Sequence, residues 1–121
     1  MPPETQPDRP ATIGYEDFLK VDIRIGTVLR ARLNEAARKP AYVLEIDFGP
    51  AIGVKKGSAQ LTELYEAAAL VGRQVAAVVN FPPRQIAKVL SEVLVLGFPD
   101  EQGHVVLVEV NRKVPDGGRL F

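Results

Sequence analysis

The chain has 121 residues, 46% apolar and 25% charged, with a formal net charge of zero, which suits one soluble globular domain with one core and argues against general disorder. It contains no cysteine, which excludes disulfides, Cys-based metal sites and thiol nucleophiles and fits a reducing cytoplasm. No apolar run approaches the roughly 18 residues of a membrane span, so no membrane insertion is expected, and the neutral balance counts mildly against a nucleic-acid binder.

Pro2, Pro3, Pro7 and Pro10 stand among acidic and polar residues, without the apolar stretch of a signal peptide. Residues 1–11 are expected to form a disordered tail and residues 12–121 a single domain. Tyr15 to Lys20 fits one helical turn. From Ile23 to Leu33 the period is two: Ile23, Ile25, Thr27, Leu29, Ala31 and Leu33 on one face, Arg24, Gly26, Val28, Arg30 and Arg32 on the other. That predicts a long half-buried strand, with Gly26 at a bend or bulge. Asn34 to Pro40 reads as a loop. Tyr42, Leu44, Ile46 and Phe48 alternate inward in a second strand, and a third runs near Ile52 to Lys56.

The period then changes. Leu61, Leu64, Tyr65 and Ala68 follow helical spacing over Thr62 to Leu70, with Thr62 as N-cap and Gly72 as stop. Arg73 to Asn80 is a β-branched strand, and Phe81-Pro82-Pro83 forces a loop. Further strands are expected at Glu92 to Leu96 and His104 to Val110. Asn111 to Gly118 is turn-rich, and Arg119 to Phe121 is expected to return to the barrel. The order predicts an all-β fold: a five-stranded Greek-key OB-fold barrel, with a short helix between strands 3 and 4 and short terminal extensions. A generic β-sandwich is the alternative.

Candidate chemistry is sparse. His104 is the only histidine, and nothing local supplies a recognisable set of nucleophile and orienting carboxylate around it. Asp22, Glu45 and Asp47 read more simply as polar strand faces than as oxygen ligands. No catalytic residues, no metal site and no cofactor are expected, so the chain reads as a binder and not an enzyme. Gly53 to Ser58 lacks the spacing of a phosphate loop and reads as a basic hairpin edge. Arg24, Arg30 and Arg32 share a parity that would line one strand face, with Lys55 and Lys56 nearby. Arg73 to Leu90 contains Arg73, Arg84 and Lys88 and no acid. Such stretches give a neutral chain a positive face for phosphates, or simply a solvated strand face. In Asn80-Phe81-Pro82-Pro83-Arg84 two prolines hold an aromatic and a guanidinium in restricted geometry. This suits base stacking with phosphate contact, or an extended peptide, or a strand end with Phe81 in the core. Phe98, Val106, Val108 and Val110 exceed what one small barrel must bury, which predicts an exposed apolar seam.

Four blocks carry a family resemblance: Asp22 to Val28, Ser58 to Thr62, Asn80 to Ala87 and Ser91 to Gly97. In this order and spacing, over about residues 15–121, the chain resembles the CsaA family. That family is the export-related chaperone branch of the tRNA-binding-domain OB folds, whose relatives include appendages of methionyl- and phenylalanyl-tRNA synthetases. The resemblance implies a cytoplasmic homodimer that binds tRNA, unfolded or precursor polypeptide for export, or both. It implies an RNA-binding edge at Asn80, Arg84, Ser91 and Glu92, with Ser58, Ala59 and Gln60 beside it. Lys88, Lys55 and Lys56 would add charge to that edge. The peptide-binding residues would be Phe81, Pro82 and Pro83. Lys88 stands where glycine is expected, which would strain it if the backbone needs a positive φ. Gly57 stands where the family has a polar residue, and the tail of residues 1–11 has no counterpart. A purely structural dimerisation module acting through another protein is the alternative function.

Overall fold

The structure is a computed structural model that describes residues 11–121. The expected tail, save Ala11, lies outside the described residues. A short helix, α1 (Tyr15–Leu19), opens at Gly14, whose amide donates to the Asp17 carboxylate at 3.1 Å. Strand β1 (Ile23–Leu33) follows and is the spine of the fold, antiparallel to β2 (Tyr42–Asp47) on one side. Strand β3 (Val54–Ala59) pairs with β2. After helix α2 (Ala67–Leu70), strand β4 (Gln74–Val78) pairs with the other side of β1. A hairpin, β5 (Arg84–Ile86) and β6 (Val89–Ser91), precedes β7 (Leu94–Val95), which pairs with β4. A second hairpin, β8 (Gly97–Pro99) and β9 (Val105–Leu107), follows. The main sheet has the order β3-β2-β1-β4-β7. It curls into a nearly closed five-stranded antiparallel barrel of the OB type, as the pattern predicted.

The core is built from alternate residues on facing strands. Leu44, Ile46 and Phe48 of β2 and its end meet Val28, Val75 and Ala77, with Leu61 and Leu70 plugging one end. Gly26 is needed at its place. A Cβ there would lie 2.7 Å from the Ile46 and Phe48 side chains and 2.9 Å from the Asp47 carbonyl oxygen.

The expected parity of β1 does not hold along its length. Val28 pairs with Ile46 and Arg30 with Glu45, so Leu29 is an extra residue at a bulge. The inward row is therefore Gly26, Val28 and, past the bulge, Ala31. Arg24 shares the face of Gly26 and Val28, whereas Arg30 and Arg32 fall on the opposite face. The expected single row of Arg24, Arg30 and Arg32 does not form. Arg24 is instead committed at the barrel end, its Nε 2.6 Å from Asp22 Oδ1 and its Nη1 donating to the Gly117 carbonyl at 2.9 Å. Ile25 is buried on the outer side under the C-terminal segment. Its amide donates to Gly118 O, and the Gly117 amide donates back to Ile25 O. The Leu120 amide bonds Ile23 O at 2.9 Å, so the chain end does return to the barrel.

Other expected bounds shift for local reasons. Gly49 and Gly53, both with positive φ, form a tight loop after β2, and β3 starts at Val54 and runs to Ala59 rather than spanning Ile52 to Lys56. The predicted helix over Thr62 to Leu70 survives only as α2. The Tyr65 carbonyl accepts the Tyr42 hydroxyl at 2.8 Å, and the Ala69 amide bonds Glu66 O instead. Thr62 is thus in a turn, and Glu66 occupies the N-cap without a side-chain cap bond. The strand expected over Glu92 to Leu96 is broken at Glu92 and Val93, and that over His104 to Val110 shortens to β9.

Candidate nucleic-acid interface

The loop between β1 and β2 and the β5–β6 hairpin rise on the same side of the barrel. Asn34 ties them together. It is buried, and its amide nitrogen donates to the Ile86 carbonyl at 3.2 Å and lies 3.4 Å from the Ser58 hydroxyl. Between loop and hairpin lies a cleft of about 850 Å³. Its cations are Arg38, Lys39 and Arg84, joined by Gln60 and Gln85, and among the described residues no carboxylate lines it. Arg84 is exposed, with no hydrogen bond or ion pair to another described side chain. Arg38 and Lys39 belong to the segment from Asn34 to Pro40 that the sequence reads as a loop, and the fold places them in one cleft with Arg84.

A second cleft of about 290 Å³ adjoins the first, because Ser58, Arg84 and Ile86 line both. Its own walls are apolar: Phe81, Pro82, Val93 and Leu94, with Glu92 and Ser91 beside them. Phe81 is 51% exposed, so it is not a core residue. Pro83 is exposed and lines neither cleft.

Several residues of the expected edge are braces. The Ser91 side chain is buried, at 7% exposure; its hydroxyl accepts the Ser58 amide hydrogen at 3.0 Å and donates to Val93 O at 3.2 Å. Glu92 accepts the Lys56 amide hydrogen at 2.9 Å through Oε1, and its own amide donates to Lys56 O at 2.7 Å. These bonds join β3 to the β6–β7 segment and close the barrel where no regular ladder runs. Asn80 is exposed, yet its Oδ1 accepts the Asp22 amide hydrogen at 3.0 Å and its Nδ2 donates to Lys20 O at 2.7 Å. It pins the entry of β1 to the end of β4. Lys55 and Lys56 follow each other on β3 and so point to opposite faces, and neither lines the two clefts. Lys56 lies opposite Glu45, which in turn lies opposite Arg30. Lys88 is exposed at the tip of the β5–β6 hairpin. The positive φ falls on Ala87, at 56°, so the strain foreseen at Lys88 sits one residue earlier.

His104 lies 3.9 Å from carboxylate oxygens of both Glu63 and Asp100, on the far hairpin. Among the described residues no group of three His, Cys, Asp or Glu side chains is gathered as a metal site. No helix among them is long and apolar enough to cross a membrane.

A family model described as a putative tRNA binding domain matches residues 23–119. The crystal structure of chaperone CsaA from Bacillus anthracis str. Ames is 50% identical, with a TM-score of 0.86, and the match covers 92% of this chain and 100% of that one. The CsaA chaperone protein from Picrophilus torridus is 44% identical, with a TM-score of 0.84, covering 91% of this chain and 100% of that one. The methionine–tRNA ligase of Flavobacterium johnsoniae is 33% identical over 108 residues, which is 89% of this chain and 15% of the ligase. The chain thus spans about 15% of that curated relative's length.

Proposed function

The chain belongs to the tRNA-binding-domain family, on its CsaA branch, and from that premise we propose that it binds tRNA in the basic cleft between the β1–β2 loop and the β5–β6 hairpin. The observation that carries this is the lining of the cleft: Arg38, Lys39 and Arg84 share it, with no carboxylate among the described residues. A neutral chain thereby presents a local positive field to phosphates. The loop between the first two strands is also one of the loops with which OB barrels take up nucleic acid. Arg84, exposed and unpaired among the described side chains, is the central contact, with Lys88 at the hairpin tip adding charge. Asn80 and Ser91 serve by holding the backbone of the site in place. The module works by binding and carries out no reaction itself. Titration of labelled tRNA at increasing salt tests the reading. A steep loss of affinity with salt is expected, and salt-independent or absent binding overturns it.

A second reading, capture of unfolded or precursor polypeptide, is favoured by the exposed Phe81 and the apolar walls of the smaller cleft, with Pro83 flanking it. Calorimetry with an unfolded polypeptide should then show a negative heat-capacity change and little salt dependence. Self-association into a homodimer is supported by an apolar recess of about 410 Å³ whose lining includes Ile23, Ile25, Val110, Leu120 and Phe121. Sedimentation of the whole chain, and of a Leu120→Ser/Phe121→Ser variant, tests it. The cysteine-free composition and a tRNA partner both fit action in the cytoplasm.

A further inference from the structure

The two adjoining clefts differ in what they exclude. The larger has cations and, among the described residues, no carboxylate, whereas the smaller has apolar walls with Arg84 and Glu92 at its margin. Phosphate is attracted to the first, whereas in the second the single cation Arg84 is offset by Glu92. A planar apolar ring is suited to the second, whose volume of about 290 Å³ is lined by Phe81, Pro82, Ile86, Val93 and Leu94. That volume lies at the bottom of the range of about 300–1,000 Å³ of ordinary small-ligand pockets, so the slot takes one ring and not a folded segment. Arg84, shared by both clefts, stands where a ribose-phosphate unit would pass from one to the other. Aromatic stacking of this kind needs a base that is out of a duplex.

Resting on the tRNA reading, we propose that the site recognises an unpaired nucleotide, its phosphates held by Arg38, Lys39 and Arg84 and its base inserted in the slot against Phe81. The ligand class is therefore single-stranded or looped RNA, in preference to a continuous duplex. The two-part geometry assigns separate signatures to the parts. Loss of the cations reduces the salt dependence of binding, and loss of Phe81 removes a salt-independent increment.

The test uses the whole chain and a short single-stranded RNA carrying a fluorescent purine analogue at an internal position. Its partners are the same strand made abasic at that position and the strand annealed to its complement. Binding should quench or shift the analogue, and the abasic and duplex forms should bind about tenfold more weakly. Phe81→Ala should lower affinity for the intact strand by a similar factor and leave the abasic strand unchanged. Phe81 is half exposed and lies outside the core, so this variant keeps its fold. Equal affinity for intact, abasic and duplex RNA, at a steep salt dependence, overturns the inserted base and leaves the basic cleft standing. Failure of every RNA at low salt overturns the cleft reading and the inserted base together.

Discussion

The Ser91 hydroxyl accepts the amide hydrogen of Ser58 at 3.0 Å, and through this bond a side chain closes the barrel where a backbone ladder is missing. The neighbouring Glu92 carboxylate does the same for Lys56 at 2.9 Å. Strand β3 would otherwise present these amides as unpaired donors on an open edge.

Ser91→Ala removes the acceptor and leaves a buried methyl group beside an unpaired amide. It should destabilise the fold by about 1–3 kcal/mol, read as a lower urea midpoint at unchanged m-value. RNA affinity of the folded variant should stay within about twofold, since a brace and not a contact has been lost, a difference of under about 0.5 kcal/mol by the usual conversion. A large affinity loss at unchanged stability would return Ser91 to the binding surface.

Arg84→Ala, Arg38→Ala and Lys39→Ala should each weaken tRNA binding while leaving the urea midpoint in place. Each phosphate contact removed should flatten the plot of log affinity against log salt by about 0.7–0.9 units. Lys55→Ala lies outside both clefts and should change the slope less than any of the three. Identical slopes for all four variants would dissolve the distinction between the cleft and the general surface.

The barrel was legible because β2 alternates from Leu44 to Phe48 and the helix stands between strands in the expected order. The face of the arginines was not, because a bulge at Leu29 reverses parity without any glycine or proline to mark it. The β5–β6 hairpin was hidden in the same way. Its two-residue turn carries Ala87 and Lys88 in place of the usual glycine-bearing pair. The cleft itself required the fold, since Arg38 and Arg84 come to line one cleft only when hairpin and loop stand together on the barrel.

Ala87 provides a direct check on that turn. It holds φ at 56°, a conformation that costs an L-residue about 1–2 kcal/mol. Ala87→Gly relieves the strain, offset by the added freedom of the unfolded chain, of about 0.4–1 kcal/mol. A net stabilisation of about 0.8 kcal/mol is expected from the midpoints of these two figures. Lys88→Gly has no strain to relieve and should destabilise by about 0.5–1 kcal/mol. Equilibrium denaturation should therefore shift in opposite directions for the two variants. The reverse order of signs would mean that the turn has been assigned to the wrong residue.

Gly26 tests the packing under the whole site, because β1 carries both the bulge and the loop that bears Arg38 and Lys39. An added methyl group would press on Ile46 and Phe48 side chains at 2.7 Å and on the Asp47 carbonyl oxygen at 2.9 Å. The first two can turn only into a filled core, and the third is backbone, so strand β2 must move. Overpacking of this kind costs about 1–3 kcal/mol, and the backbone contact places Gly26→Ala at the upper end. Gly118→Ala is the matched control. Its methyl group would meet Pro115 O at 3.4 Å and Ile25 Cγ2 at 3.6 Å, which is ordinary contact. It should stay within about 0.5 kcal/mol of the parent. A displaced β2 also shifts its partner β3, whose Ser58 lines both clefts. Gly26→Ala should thus lower RNA affinity in the folded fraction, while Gly118→Ala leaves it intact; equal affinities for the two would show that the clefts are insulated from the strain in β1.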